Sequence, residues 1–179
     1  MQTTRTATVE ELARAIRDVP DFPKPGILFK DITPVLADAR LFASSIERLT
    51  EHLKPGGVDA VVGIDARGFI FAAAAAFHLQ CGFVPVRKKG KLPHKTYEES
   101  YDLEYGSNTI AIHTDAVPSG SRVVLIDDLL ATGGTAAAAA NLLRRLGANI
   151  LEITFLIELS FLHGRDKLQG FPVRSLVVY

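Results

Sequence analysis

Residues 123–135 read VVLIDDLLATGGT. The four apolar residues at 123–126 have the composition of a strand buried on both faces of a parallel sheet, where polar alternation is lost. At the carboxyl end of that strand, Asp127 and Asp128 would project into the crevice where open α/β sheets bind ligands. Thr132, Gly133, Gly134 and Thr135 then open an alanine-rich helical pattern. Glycines let the backbone curl tightly, so several N–H groups and two hydroxyls converge on an anion that the helix dipole also favours. Acids beside an anion cradle suit a ligand carrying hydroxyls and a phosphate together, and a phosphorylated sugar fits.

The rest of the chain supplies a frame for this turn. Strand-like runs fall at 60–64, 83–86, 109–113, 150–159 and 175–179, with helical patterns at about 68–80, 134–146 and 161–168. Such alternation argues a parallel sheet with helices on both faces. Upstream, Thr8 and Glu11 have capping-box spacing ahead of the stripe Val9, Leu12, Ala13 and Ile16. Pro20, Pro23, Pro25 and Gly26 end that helix in an extended loop. Asp38 can cap a second helix with Phe42, Ile46, Leu49 and Leu53 on its buried face, stopped by Pro55, Gly56 and Gly57. One echo stands out: VVGID at 61–65 leads to five alanines at 72–76, as VVLIDD leads to five at 136–140. Small side chains let both helices pack close to the sheet. Two strand-to-helix turns with acids and free N–H groups then meet at one sheet edge, which suits a substrate with phosphate at both ends.

Composition excludes several classes. The 179 residues, 47% hydrophobic, suit one domain that buries roughly 70% of its unfolded surface. Twenty basic and twenty acidic residues cancel, so no global field recruits nucleic acid or an anionic membrane. The lone Cys81 has no internal disulfide partner, as expected in a reducing cytoplasm. The opening MQTTRTATVEE lacks the apolar core of a signal peptide, and no apolar run approaches the ~20 residues of a membrane span. A soluble cytoplasmic protein is expected. Neither G-x-x-x-x-G-K-[ST] nor G-x-G-x-x-G occurs, against a P-loop NTPase or a dinucleotide fold. The histidines at 52, 78, 94, 113 and 163 lack metal-ligand spacing, so no protein-built metal site is expected. The basic run Arg87, Lys88, Lys89 and Lys91 has no interleaved aromatics, which argues against a nucleic-acid surface.

The stretch at 123–135 resembles the diphosphate-sugar signature of type I phosphoribosyltransferases. PDFPKPGILFKDITP (20–34), GIDARGFIF (63–71), VPVRKKGKLP (84–93) and SYDLEYG (100–106) are similar to the adenine-using branch of that family, in the same order and over nearly the whole chain. The resemblance implies a central parallel five-stranded sheet flanked by helices. It adds a small N-terminal hood from about residues 1–37 and a lid or two-stranded flap at about 91–107. It implies transfer of the phosphoribosyl group from phosphoribosyl diphosphate to adenine, giving AMP and diphosphate in purine salvage. Magnesium would be held mainly by substrate oxygens, and the enzyme would be a homodimer.

Site roles follow from the same resemblance. Ala131, Thr132, Gly133, Gly134 and Thr135 would hold the 5′-phosphate, and Asp127 and Asp128 the ribose hydroxyls beside a developing cation. Asp65, Ala66 and Arg67 would cradle the diphosphate, in a turn where the family often has a non-proline cis peptide, here between Asp65 and Ala66. Arg87, Lys88 and Lys91 would also meet diphosphate, with Arg87 reaching across the dimer interface. Glu104, with Tyr105 beside it, would carry proton traffic at the imidazole edge of the base. In the hood Phe29 would stack on the purine, with Leu129 on the other side and backbone groups near Leu28 and Lys30 reading its edge. Two alternatives remain from the residues: a phosphoribosyltransferase for another base, and a non-catalytic regulator that senses phosphoribosyl diphosphate.

Overall fold

The computed structural model describes residues 5–54, 56–102 and 107–179. By internal contacts the chain divides into two compact units, Met1–Arg48 and Leu49–Tyr179.

In the first unit, helix α1 (Val9–Ala15) starts where the capping box expected it. The Thr8 hydroxyl accepts from the Glu11 N–H at 3.2 Å, and the Glu11 carboxylate accepts from the Thr8 N–H at 2.7 Å. The proline-rich segment is not simply an extended loop. It is flanked by an antiparallel hairpin of β1 (Arg17–Pro20) and β2 (Leu28–Asp31), in register from Arg17 against Asp31 to Pro20 against Leu28. Cross-strand ion pairs, Arg17–Asp31 at 3.0 Å and Lys30–Asp18 at 2.6 Å, stabilise this short ladder. They leave no hydrophobic period for a sequence reading to find. A short helix α2 (Thr33–Ala37) precedes α3 (Ala39–Thr50). Asp38 caps α3 by accepting the Leu41 N–H at 2.9 Å. Ile46 and Leu49 are buried and Phe42 and Leu53 half-buried, while the expected stop residue Pro55 lies outside the described residues.

The second unit runs β3 (Ala60–Ile64), α4 (Gly68–Leu79), β4 (Gly82–Lys88), β5 (Thr96–Asp102), β6 (Ser107–His113), β7 (Arg122–Leu130), α5 (Gly134–Arg145), β8 (Asn149–Glu158) and β9 (Val173–Val178). The sheet order is β5-β6-β4-β3-β7-β8-β9. Strands β4, β3, β7, β8 and β9 are mutually parallel, so the five expected parallel strands are present. The sheet nevertheless has seven strands, because the hairpin β5–β6 adds antiparallel to β4 through Arg87 against Ala111 and Lys88 against Ile110. The polar sequence of β5, TYEESYD, carries no buried-strand pattern. Tertiary contacts hold it instead. Arg145 of α5 lies over the Tyr97 ring at 4.6 Å and donates to the Glu98 carbonyl at 2.9 Å, and Asn141 donates to Glu99 at 3.1 Å. Acids along such an edge discourage pairing with further strands.

Two other boundaries moved. Strand β7 continues to Leu130, so Asp127 sits within the ladder opposite Phe155. The helix expected at 161–168 is two 3-10 segments, Ser160–Leu162 and Gly164–Leu168, because His163 between them has left-handed φ 53. The core is built on the central strands, with Phe71, Leu125, Ile126, Ile153 and Phe155 fully buried. Ala72, Ala75 and Ala76 of α4 and Ala136, Ala138, Ala139 and Ala140 of α5 are buried as well. Their single methyl groups permit close packing at interior density. No helix among the described residues is long and apolar enough to cross a membrane.

Candidate active site

Two strand-to-helix turns define the site. The first follows β3: the Asp65–Ala66 peptide is cis, as the resemblance implied, and Arg67 occupies the N-cap of α4. The second follows β7, where residues 131–133 lead into α5. Gly133 is the N-cap there with φ 77, a conformation open to glycine at little cost. A cavity of ≈ 70 Å³ is lined by residues 129–136. Gly134 and the Gly133 backbone are buried, whereas Thr132 is exposed and Ala131 and Thr135 are half-buried.

The turns touch directly. Arg67 Nε lies 2.8 Å from Asp128 Oδ2. Asp127 Oδ1 accepts the Asp128 N–H at 2.9 Å and lies against Gly68, where a methyl would overlap that oxygen and stand 3.3 Å from the Asp127 Cα. Asp128 is only 6% exposed. Burial raises its carboxyl above the usual range, and the Arg67 guanidinium works against that rise. Burial, then the neighbouring Asp128 charge, holds the Asp127 carboxyl well above the usual carboxylate range. Two acids side by side in low dielectric resist double ionisation unless cations or hydrogen-bond donors arrive. A ligand with hydroxyls supplies such donors.

The basic run is only partly gathered at the first turn. Arg87 Nε donates to Asp65 Oδ2 at 2.9 Å, and its terminal nitrogen donates to the Lys91 carbonyl at 3.1 Å. Arg87 and Lys91 are thereby tied to the cis turn within one chain. Lys88 is exposed at the end of β4, and the Lys89 amine is taken up by Glu98 at 2.7 Å. Leu129 is half-buried in β7 opposite Ile157. In the first unit, Leu28, Phe29 and Lys30 all lie on β2. The Phe22 and Phe29 rings meet edge to face at 5.1 Å, and with Val19 and Asp31 they line an apolar cavity of ≈ 250 Å³. Glu104 and Tyr105 lie outside the described residues.

Sequence reasoning missed the partner of Arg87, since Asp65 was assigned to the ligand rather than to holding a guanidinium. It also missed the 163–165 turn, which packs on the second loop. Its only local signal was the glycine in HGR, too common to notice.

Residues 30–170 match the phosphoribosyl transferase domain family, which places the chain in a class of enzymes acting on phosphoribosyl groups. The adenine phosphoribosyltransferase of Acidothermus cellulolyticus is 56% identical over 172 residues, 96% of this chain and 97% of that protein. The enzyme of the same name from Acidobacterium capsulatum is 52% identical over 179 residues, 100% of this chain and 99% of its own length. The crystal structure of adenine phosphoribosyltransferase from Thermoanaerobacter pseudethanolicus superposes with a TM-score of 0.92 at 53% identity, covering 96% of this chain and 100% of that one. The Saccharomyces cerevisiae enzyme, solved with adenine and an imino-altritol bisphosphate, gives 0.87 at 43% identity over 94% and 97%. The chain belongs to the adenine phosphoribosyltransferase family.

Proposed function

We propose that this protein transfers the phosphoribosyl group of phosphoribosyl diphosphate to adenine, giving AMP and diphosphate. The observation that carries this reading is the direct meeting of the cis turn with the paired acids, through Arg67 and Asp128 at 2.8 Å. One turn is suited to diphosphate and the other to ribose 5-phosphate. We assign the bond between the two halves of the substrate to the junction of these turns. In the free protein Arg67 and Asp128 satisfy each other. We assign substrate to both in turn, Arg67 to diphosphate oxygens in a planar fork and Asp128 to a ribose hydroxyl.

The anomeric C–O bond breaks ahead of C–N bond formation, so positive charge grows on the ribose and negative charge on the leaving diphosphate. We assign Asp127 and Asp128 to favour the first, and Arg67, Arg87, Lys88, Lys91 and the Asp65–Ala66 turn to favour the second. Charge-assisted bonds from residues 131–135 to the 5′-phosphate, roughly 1.5–3 kcal/mol each, anchor the substrate away from the reacting carbon. Glu104 is assigned the proton of the attacking imidazole nitrogen. Magnesium is assigned chiefly to substrate oxygens, since this ion keeps its waters and prefers phosphates. When bound, that ion would neutralise diphosphate charge. Leu28, Phe29, Lys30 and Leu129 are assigned to adenine, residues 1–37 to the hood, and 91–107 to the lid. A cytoplasmic setting fits the free Cys81.

A second copy of the chain is the partner we assign to α4. That helix is apolar nearly all round, the usual mark of a buried helix. Yet Ile70, Ala73 and Phe77 form one exposed stripe, with Phe77 87% exposed.

The test is diphosphate release from phosphoribosyl diphosphate and magnesium with a panel of bases. Backbone groups matched to the exocyclic amine and ring nitrogen of adenine would leave two mismatches with hypoxanthine. At about 1–3 kcal/mol each, these amount to roughly 10²–10⁴-fold discrimination. Equal rates with both bases would overturn the assignment.

A further inference from the structure

We infer that the turn at residues 163–165, built by Gly164 and clamped by Arg165, is a positioning element for the 5′-phosphate loop. The inference rests on the proposed function for the identity of that loop's ligand. Three separate observations carry it.

The first is close backbone contact. A methyl at Gly164 would overlap the Ala131 carbonyl oxygen and stand 2.9 Å from Leu130 Cδ1 and 3.1 Å from the Gly133 nitrogen. A methyl at Gly133 would in turn overlap the Gly164 carbonyl oxygen. The two backbones therefore interlock with no side chain between them, each occupying the space that a Cβ on the other would need. Gly133 is also the N-cap of α5, whose first N–H groups have no side-chain cap and no partner within the helix.

The second is the clamp. Arg165 donates to both oxygens of Glu158, at 2.7 and 2.6 Å, and to the Val173 carbonyl at 3.0 Å. Glu158 is 5% exposed and the Arg165 side chain half-exposed, so a guanidinium fork closes over a buried carboxylate from its solvent side, and the Arg165 bonds hold that carboxyl below the usual range. Glu158 ends β8 directly opposite Leu130, the residue before the phosphate loop. The third is the path of the chain between them. Leu159 N–H donates to the Leu130 carbonyl at 2.9 Å, and His163 at φ 53 turns the backbone so that Gly164 meets the loop.

Loop 131–134 is thus braced from below by a turn that touches no reacting atom. Displacing the turn would tilt the amides of the anion seat. The effect should be confined to the phosphate end of the substrate.

The experiment uses the full chain with Gly164→Ala and, because that variant can fail to fold, Arg165→Lys, which keeps the charge and loses the fork. KM for phosphoribosyl diphosphate, KM for adenine and kcat are measured for each. Binding of ribose 5-phosphate is followed separately by calorimetry, a readout independent of which base is used. Gly164→Ala is expected to raise KM for phosphoribosyl diphosphate and weaken ribose 5-phosphate by about tenfold or more, and Arg165→Lys by several-fold, with KM for adenine within about twofold of the parent. A folded variant of either kind with parental affinity for ribose 5-phosphate overturns the inference, as does an equal loss for both substrates. If Gly164→Ala does not fold, Arg165→Lys alone decides. Failure of the parent to consume adenine would count against the proposed function instead.

Discussion

Asp127 and Asp128 share one strand, one helix start and one hydrogen bond, yet their environments pull them apart. Asp128 has a guanidinium 2.8 Å away; Asp127 has the Asp128 N–H and the α4 backbone. With its carboxyl held well above the usual range by burial, Asp127 keeps its proton longer in the folded chain than in the unfolded one. The unfolded state then binds fewer protons, so stability falls as pH rises past the ordinary carboxylate value of about 4. Asp127→Asn removes that penalty. We expect the variant to melt above the parent at about pH 7, with the gap narrowing as pH falls and closing below about pH 4, where Asp127 is protonated in both folded and unfolded chains. On the proposed function turnover should fall in the same variant, because an amide cannot ionise when substrate donors arrive. Thermal melts across that range check the first expectation, and a parent that melts higher at neutral pH would refute it. Both acids and the glycines after them were legible in the sequence because they are adjacent. Their pairing with Arg67 and Gly68, some sixty positions away, was not, since no local pattern encodes it.

Elements whose stability comes from their own residues were read correctly. Helix α1 is such a case: its box satisfies two orphan N–H groups within four residues. Thr8→Ala should cost about 1 kcal/mol in urea unfolding, and a loss near zero would mean that the Arg40–Glu11 contact at 3.3 Å already holds the helix end. Strands β3 and β7 were legible because burial on both faces demands unbroken apolar runs. Strands β1 and β2 were not, and β5 only as half of the flap expected at about 91–107. Their residues are polar or proline-rich, and each pairs through a partner strand and charged side chains. The 161–168 segment went wrong for a related reason. Its apolar spacing mimics a helix, while Gly164 and Arg165 serve contacts with distant strands.

For the molecule as a whole, the exposed stripe on α4 makes a definite expectation. In sedimentation the protein should run at twice its 19.4 kDa chain mass, and Phe77→Glu should shift it to one chain by placing a charge in the apolar contact. A parent that sediments as a single chain would remove the second copy from the reading.

The local order of residues determined the α/β class, the five parallel strands, the two strand-to-helix turns and the cap of α1. All of these follow from short-range periodicity, glycine placement and hydrogen bonding within a few positions. Tertiary structure alone decided how the β5–β6 hairpin joins the sheet, the contact of the cis turn with the acids and the close packing of the 163–165 turn on the loop after β7. Each depends on groups brought together across the sheet. Burial and charge there are properties of the packed neighbourhood, which no stretch of the chain carries by itself.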